Sequence, residues 1–159
     1  MKIIKANTEH FSLMEDLIHD VWTPTFIHKI DYQQLLYMEE NMYSSSAFQK
    51  QSEEGHVFLV AIDGDQLLGL ISYLRLEKGL RIPKLYVHPQ SHQRGVGTAL
   101  LNALKGIAKV ANKAYLELNI NRYNSALYFY RRYGFYIKKS EDIPLGEFYL
   151  NDYVLRFDL

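Results

Sequence analysis

LYVHPQSHQRGVGTALL, residues 85–101, starts as a β-prone run, turns through two glycines one residue apart, and continues as an apolar helical pattern. Leu100, Leu101, Leu104, Ile107, Ala108 and Ala111 recur at the spacing of one helix face. A strand feeding a helix directly sets up a crossover to a parallel neighbour, so this stretch decides the fold class. The start of a helix also offers four unpaired N–H groups and about half a positive charge. Gly95 and Gly97 let the main chain approach an anion closely, and Arg94 adds a cation. Those features suit a pyrophosphate. A tight strand-to-helix turn with nothing bound accounts for the glycines equally well.

Two phosphate-binding patterns fail on this stretch. A dinucleotide fingerprint needs a third glycine, and GVGTAL has Leu100 at that position. A nucleoside-triphosphate loop ends in Gly-Lys-Ser or Gly-Lys-Thr, and neither triplet occurs.

The chain of 159 residues is the length of one domain, and residues 1–159 are read as one. Its 48% hydrophobic and 23% charged content is that of an ordinary globular protein. Formal net charge is zero, which argues against nucleic acid as the partner. There is no cysteine, so thiolate catalysis and cysteine-ligated zinc are excluded, and no metal is expected. No apolar run approaches a membrane span, and MKIIKANTEH has no signal-peptide pattern, so a cytoplasmic protein without a membrane partner is expected. Thirteen tyrosines against one tryptophan suit the wall of a pocket as well as a core.

Upstream, KIIKA (Lys2 to Ala6) reads as a strand, and Thr8 as the cap of a helix bearing Phe11, Met14, Leu17, Ile18 and Val21. Pro24 is expected to end that helix. Asp31 and Gln34 resemble a capping box for a second helix carrying Leu35, Met38 and Met42. HVFLVAI, the turn Asp63-Gly64-Asp65, QLLGLISYLRL, a turn at Glu77-Lys78-Gly79 and LRIPKLYV form a meander. Pro83 cannot donate to a ladder, which predicts a bulge or an edge position beside it. Gly106, inside the following helix, predicts close packing. YLELNI is a strand, Asn124 to Tyr133 a helix stopped by Gly134, and FYIKK and FYLNDYVLRF two closing strands. The order is strand, two helices, three strands, helix, strand, helix, two strands. That is an α/β sheet, mostly antiparallel, with a crossover at the glycine turn.

Residues 85–101 resemble the acetyl-CoA-binding core of the GNAT superfamily of N-acetyltransferases, in which a strand precedes a loop Gln/Arg-x-x-Gly-x-Gly/Ala and a helix. The loop here is His92-Gln93-Arg94-Gly95-Val96-Gly97, with His92 where the family usually has Gln or Arg. NSALYFYRRYGF (Asn124 to Phe135) is similar to the family's second motif, in the right order. Val21 to Ser46 and LGEFYLNDYVLRFDL look like a bacterial branch that includes spermidine/spermine-type acetyltransferases. The resemblance implies a mixed, mostly antiparallel twisted sheet of six to seven strands, with helices on both faces. It implies acetyl-CoA as cosubstrate and a primary amine of a small molecule as acceptor, attacked directly in a ternary complex. The alternatives are a non-catalytic acyl-CoA-binding module, a protein or peptide N-terminus as acceptor, or an interaction domain with an empty turn. A homodimer is a family-based expectation.

The same resemblance assigns residues. Leu85, Tyr86 and Val87 would lend main-chain groups to the pantetheine, and His92, Gln93, Arg94, Gly95, Val96, Gly97 and Thr98 would hold the diphosphate. Asn124 stands at a CoA-contacting position, though it also fits the N-cap of its own helix. Tyr130 stands where the family carries the acid that protonates the departing thiolate; the other reading is a core tyrosine. A thiol near pKa ~8.5 and a phenol near ~10 make that transfer inexpensive. An acceptor amine near ~10.4 must also lose a proton. Pro83 and Lys84 fall where the family places a glutamate for this purpose. Glu117, alternating with Tyr115 and Asn119 on one strand face, is the candidate base or else a solvated edge glutamate. His56 and His88 have suitable intrinsic pKa values. Trp22, Tyr32, Tyr149 and Asp152 are candidate acceptor contacts, an aromatic wall with a carboxylate suiting an organic cation.

Overall fold

A computed structural model describes residues 1–26 and 31–159, apart from the side chains of residues 23–26 and 32. One seven-stranded sheet runs β1-β2-β3-β4-β5-β7-β6, antiparallel except for the pair β4–β5. The chain divides into two compact units, residues 1–73 with 84–103, and residues 74–83 with 104–159.

The first unit opens with β1 (Lys2–Lys5), paired with β2 (Val57–Asp63) from Lys2↔Ile62 to Lys5↔Leu59. The helices α1 (Phe11–Phe26), α2 (Tyr32–Met42) and α3 (Ser45–Glu53) lie between them in sequence. Gly64, at φ 59°, turns β2 into β3 (Gln66–Arg75), as the Asp-Gly signal predicts. Phe11, Met14, Leu17, Ile18 and Trp22 of α1 are buried with Phe48 and Phe58. The Phe11–Phe48 and Phe48–Phe58 rings meet edge to face at 5.8 and 5.5 Å.

Four local expectations are corrected here. Asn7, not Thr8, is the cap: its side chain accepts from the Glu9 N–H, and the His10 ring accepts from the Asn7 N–H. Helix α1 runs through Pro24 to Phe26, since a proline in the last turn removes one donor without forcing later residues out of helical angles. Asp31 does cap α2, accepting from the Gln33 N–H at 2.8 Å, with no reciprocal contact from Gln34 shown. Helix α3 is additional to the two expected. It is capped by Ser44, which accepts from the Ala47 N–H, and it buries only Ala47 and Phe48, too few residues to show a helical period.

The first unit also holds the last part of β4 (Gly79–Val87) and the beginning of α4 (Val96–Val110). The inward face of α4 carries Leu100, Leu101, Leu104 and Ala108, none of them exposed. Gly106 is exposed, with nothing within 4 Å of where a Cβ would stand, so the close packing expected there is absent. It occurs instead at Gly69 on β3. A Cβ there would sit 2.9 Å from the Tyr86 carbonyl oxygen, 3.0 Å from Val96 Cγ1 and 3.2 Å from Leu100 Cδ1. A missing side chain on β3 therefore lets the first turn of α4 lie down on β3 and β4.

In the second unit, β4 pairs β5 (Tyr115–Asn121) in parallel from Gly79↔Tyr115 to Arg81↔Glu117, and this ladder stops there. Pro83 follows two residues later and is exposed. Strand β4 is interior in the sheet order, so the proline is accommodated where the ladder to β5 has already ended rather than at a sheet edge. Helix α5 is short, Leu127–Tyr133, and begins three residues after Asn124. Gly134, at φ 126°, stops it as expected, its N–H returning to the Tyr130 carbonyl at 3.1 Å. Strands β6 (Tyr136–Leu145) and β7 (Phe148–Asp158) form the closing hairpin, and β7 also pairs β5 antiparallel. Tyr133, Phe135 and Phe157 pack ring to ring at 5.4–5.9 Å.

Candidate active site

The loop between β4 and α4 is shaped by its main chain. His88 caps a short 3-10 turn, Pro89–Ser91, its Nδ1 accepting from the Gln90 N–H at 3.2 Å while Nε2 faces Asp20 at 3.4 Å. Both ring nitrogens are thus engaged. His92 turns back and donates from Nε2 to the Val87 carbonyl at 3.1 Å, tying the loop to the end of β4. Gln93 and Gly95 then adopt left-handed angles, φ 64° and 78°, on either side of Arg94. Alternation of this kind turns successive N–H groups toward one concavity, a form suited to anions. The bond that opens α4 runs from the Ala99 N–H to the Gly95 carbonyl at 2.9 Å. Val96, Gly97 and Thr98 therefore precede any acceptor inside the helix. Gln93, Arg94, Gly95 and Thr98 are exposed, Gly97 is half-buried, and Val96 is buried against the sheet.

Leu85 and Val87 are half-buried. The Tyr86 hydroxyl lies 3.1 Å from that of Tyr43, and burial pushes both phenols up, so both stay protonated. The Tyr43 ring in turn meets Trp22 edge to face at 4.4 Å. Trp22, 3% exposed, is part of the core, and the side chain of Tyr32 lies outside the described residues.

Among these aromatics stands Lys84, which the sequence reading placed at the family's usual base position without making it a candidate. Lys84 is only 5% exposed. Its Nζ is 3.0 Å from Gln51 Oε1 and 5.0 Å from the centre of the Tyr43 ring. Burial pushes its amine down to about 8. The strand alternation could have found it, because Leu80, Ile82, Lys84 and Tyr86 share one face of β4. His56 is near enough for Lys84 to help burial hold its imidazole below the usual range, and its Nδ1 is buried with no hydrogen-bond partner among the described residues.

The second unit holds the remaining candidates. Glu117 accepts from Arg156 at 2.6 and 3.2 Å and faces Arg81 at 3.6 Å, with both its oxygens engaged. The Arg156 guanidinium also lies 3.8 Å from the centre of the Tyr115 ring. Arg81 donates to Asn119 at 2.9 Å, and Asn119 donates to Glu141 and Asp152 at 3.3 Å each. The expected alternation of Tyr115, Glu117 and Asn119 thus becomes one polar row. Asp152, 9% exposed, is drawn into this row. Tyr149 instead joins Asp142, Glu147, Phe148 and Asn151 around an open hollow of about 670 Å³. Tyr130, 7% exposed, packs edge-on against Phe129 and Phe135 at 5.3 and 5.6 Å. Asn124 caps a turn ahead of α5, its Oδ1 accepting from the Ala126 N–H at 2.9 Å.

Among the described residues no helix is long and apolar enough to cross a membrane, and no cluster of three or more metal-binding side chains occurs.

A strand–loop–helix with left-handed Gln93 and Gly95, in a sheet of this order, defines a class, and the family comparison names it. The acetyltransferase (GNAT) domain matches residues 27–143, and the chain belongs to that family. No curated protein is matched by the sequence. Solved structures with the same fold include the PaiA N-acetyltransferase of Thermoplasma acidophilum in complex with coenzyme A, 21% identical, with a TM-score of 0.83 over 99% of this chain and 98% of that one. The ribosomal-protein-S18-alanine N-acetyltransferase of Escherichia coli is 14% identical, with a TM-score of 0.74 over 99% and 92%. An aminoglycoside 6′-N-acetyltransferase complexed with coenzyme A is 15% identical, with a TM-score of 0.70 over 99% and 97%.

Proposed function

We propose that this acetyltransferase moves the acetyl group of acetyl-CoA to a primary amine of a small molecule, by direct attack in a ternary complex. The observation that carries the reading is the loop, where left-handed Gln93 and Gly95 lead into the first-turn amides of Val96, Gly97 and Thr98, which precede any acceptor inside the helix. That is a cradle for two phosphates made almost entirely of main chain, which is why His92 can replace the usual side chain and spend its ring on Val87. Acetyl-CoA supplies an activated acyl group on a sulfur leaving group. The end of the β4–β5 ladder at Arg81 supports a role for the Leu85–Val87 main chain in holding the pantetheine arm. Tyr130, already buried and ordered by its neighbours, delivers the proton that the departing sulfur needs.

Two features support a small cationic acceptor. The β6–β7 hollow combines Asp142 and Glu147 with Phe148 and Tyr149, a pairing suited to an organic ammonium. The spermidine-type likeness of the flanks points the same way.

A thiol-release screen over spermidine, kanamycin, glycine and an alanyl peptide tests the reading. Turnover with spermidine or kanamycin is expected; release with the peptide alone would overturn the small-molecule acceptor, and none with any of them would overturn the reaction. Tyr130→Phe should lower kcat by about 100-fold, at the low end of the range for a general acid, and leave CoA affinity within about twofold. Unchanged kcat would remove Tyr130 from the mechanism.

A further inference from the structure

We propose that the ε-amine of Lys84 is the base that takes the proton from the acceptor's ammonium group, a role that rests on the acetyl-transfer reading above. The side chain leaves β4 one residue before the Leu85–Val87 main chain and enters the space bounded by Gln51, Tyr43 and Tyr86. The Gln51 amide is oriented for it, because its nitrogen donates to the Met42 carbonyl at 3.0 Å and its oxygen is left facing Nζ.

The hydrogen-bond partner shown for Nζ is neutral. The Gln51 oxygen accepts from it, and among the described residues no carboxylate forms an ion pair with it. The face of the Tyr43 ring attracts the charged form and works against the effect of burial. Burial keeps the Tyr43 and Tyr86 phenols protonated, so neither becomes a counter-ion. Burial and Lys84 itself keep His56 on the neutral side, while Glu54 acts on His56 in the opposite sense. Burial pushes the lysine down to about 8, which leaves an appreciable free-base fraction near neutral pH. Glu117, the carboxylate candidate, by contrast has both its oxygens engaged by the Arg81 and Arg156 guanidinium groups.

The step balances. One acceptor N–H bond breaks, and its proton joins the Lys84 lone pair. The freed acceptor lone pair forms the C–N bond at the acetyl carbon, and the C–S bond breaks. Tyr130 gives its proton to the sulfur, the nitrogen's second proton restores the phenol, and Lys84 returns its own to water.

The test compares wild type with Lys84→Met and Lys84→Ala, detecting acetylated spermidine or kanamycin by mass from pH 6 to 10. Wild-type kcat/KM should rise with pH through a midpoint near 8. Lys84→Met should lower kcat by about 100-fold and lose that rise, with CoA affinity kept within about twofold. In Lys84→Ala, N,N-dimethylethylamine, a tertiary amine that forms no stable amide, should restore turnover in proportion to its free-base concentration. A folded Lys84→Met with an unchanged pH profile, or one that raises KM alone, overturns the role of Lys84 and leaves the acetyltransferase intact. A wild type that acetylates nothing overturns the reaction itself. If the variants do not fold, the wild-type rate profile decides: a kcat/KM rise with a midpoint near 8 supports the role, and a rise only toward the acceptor's own value near ~10.4 overturns it.

Discussion

Lys84→Met should make the protein more stable at pH 7 while costing it activity. Burial takes the lysine from 10.5 to about 8 in the folded chain. At 1.36 kcal/mol per unit, the folded state carries a penalty of about 3 kcal/mol for a charged Lys84. Loss of the Gln51 hydrogen bond offsets about 1 kcal/mol of the relief. The unbranched methionine fills much the same volume, so the net gain is about 2 kcal/mol, or about 4–8 °C in Tm for a chain of this length. The gain fades with pH and becomes a loss of up to about 1 kcal/mol at high pH, where the charge penalty is gone and the Gln51 hydrogen bond is still missing. Below about 8 both folded and unfolded wild type hold the proton, and the full penalty is present. Between about 8 and 10.5 the unfolded chain binds more protons than the folded one, so wild-type stability climbs toward the variant's. Urea unfolding of both proteins at pH 7 and pH 10.5, with equal m-values, reads the gap directly. A methionine variant less stable at pH 7, or a gap that stays the same at both pH values, would refute the reasoning.

Other perturbations separate the loop, the sheet and the polar row. Gly95→Ala meets no neighbour within 4 Å but must adopt φ 78°, so it should cost about 1–2 kcal/mol in thermal unfolding and weaken CoA binding in calorimetry. Gly69→Ala drives a Cβ to 2.9 Å from the Tyr86 carbonyl oxygen, and about 1–3 kcal/mol of overpacking should appear in urea unfolding, together with an altered CoA affinity. Glu117→Gln leaves Arg81 and Arg156 facing an uncharged amide, and a loss of about 1–3 kcal/mol is expected by chemical denaturation.

What could be read ahead of the structure follows the range of each signal. The strand–glycine–helix unit is local, and both the crossover and the left-handed Gly95 follow from residues within one turn of each other. All seven strands start within a residue of where alternation and turn residues place them. Helix α3 escaped because two buried residues make no period, and Gly106 misled because a glycine in a helix is silent about what faces it. The site was harder still. Asp152 sits on a strand beside Tyr149, yet the register that pairs it with Asn121 and Glu141 sends it into the polar row. Lys84 was visible as a letter but not as a buried amine, because its surroundings come from Gln51 and Tyr43, more than thirty residues away.

Pro83 gives the early end of the β4–β5 ladder a kinetic meaning. Where two strands merely drift apart, heat or a missing ligand lets them zip together, and the next ligand must melt the seam before entering. A residue with no amide hydrogen cannot contribute its stitch to such a seam. Past Arg81, β4 therefore carries at Pro83 a position from which no amide hydrogen can extend a ladder.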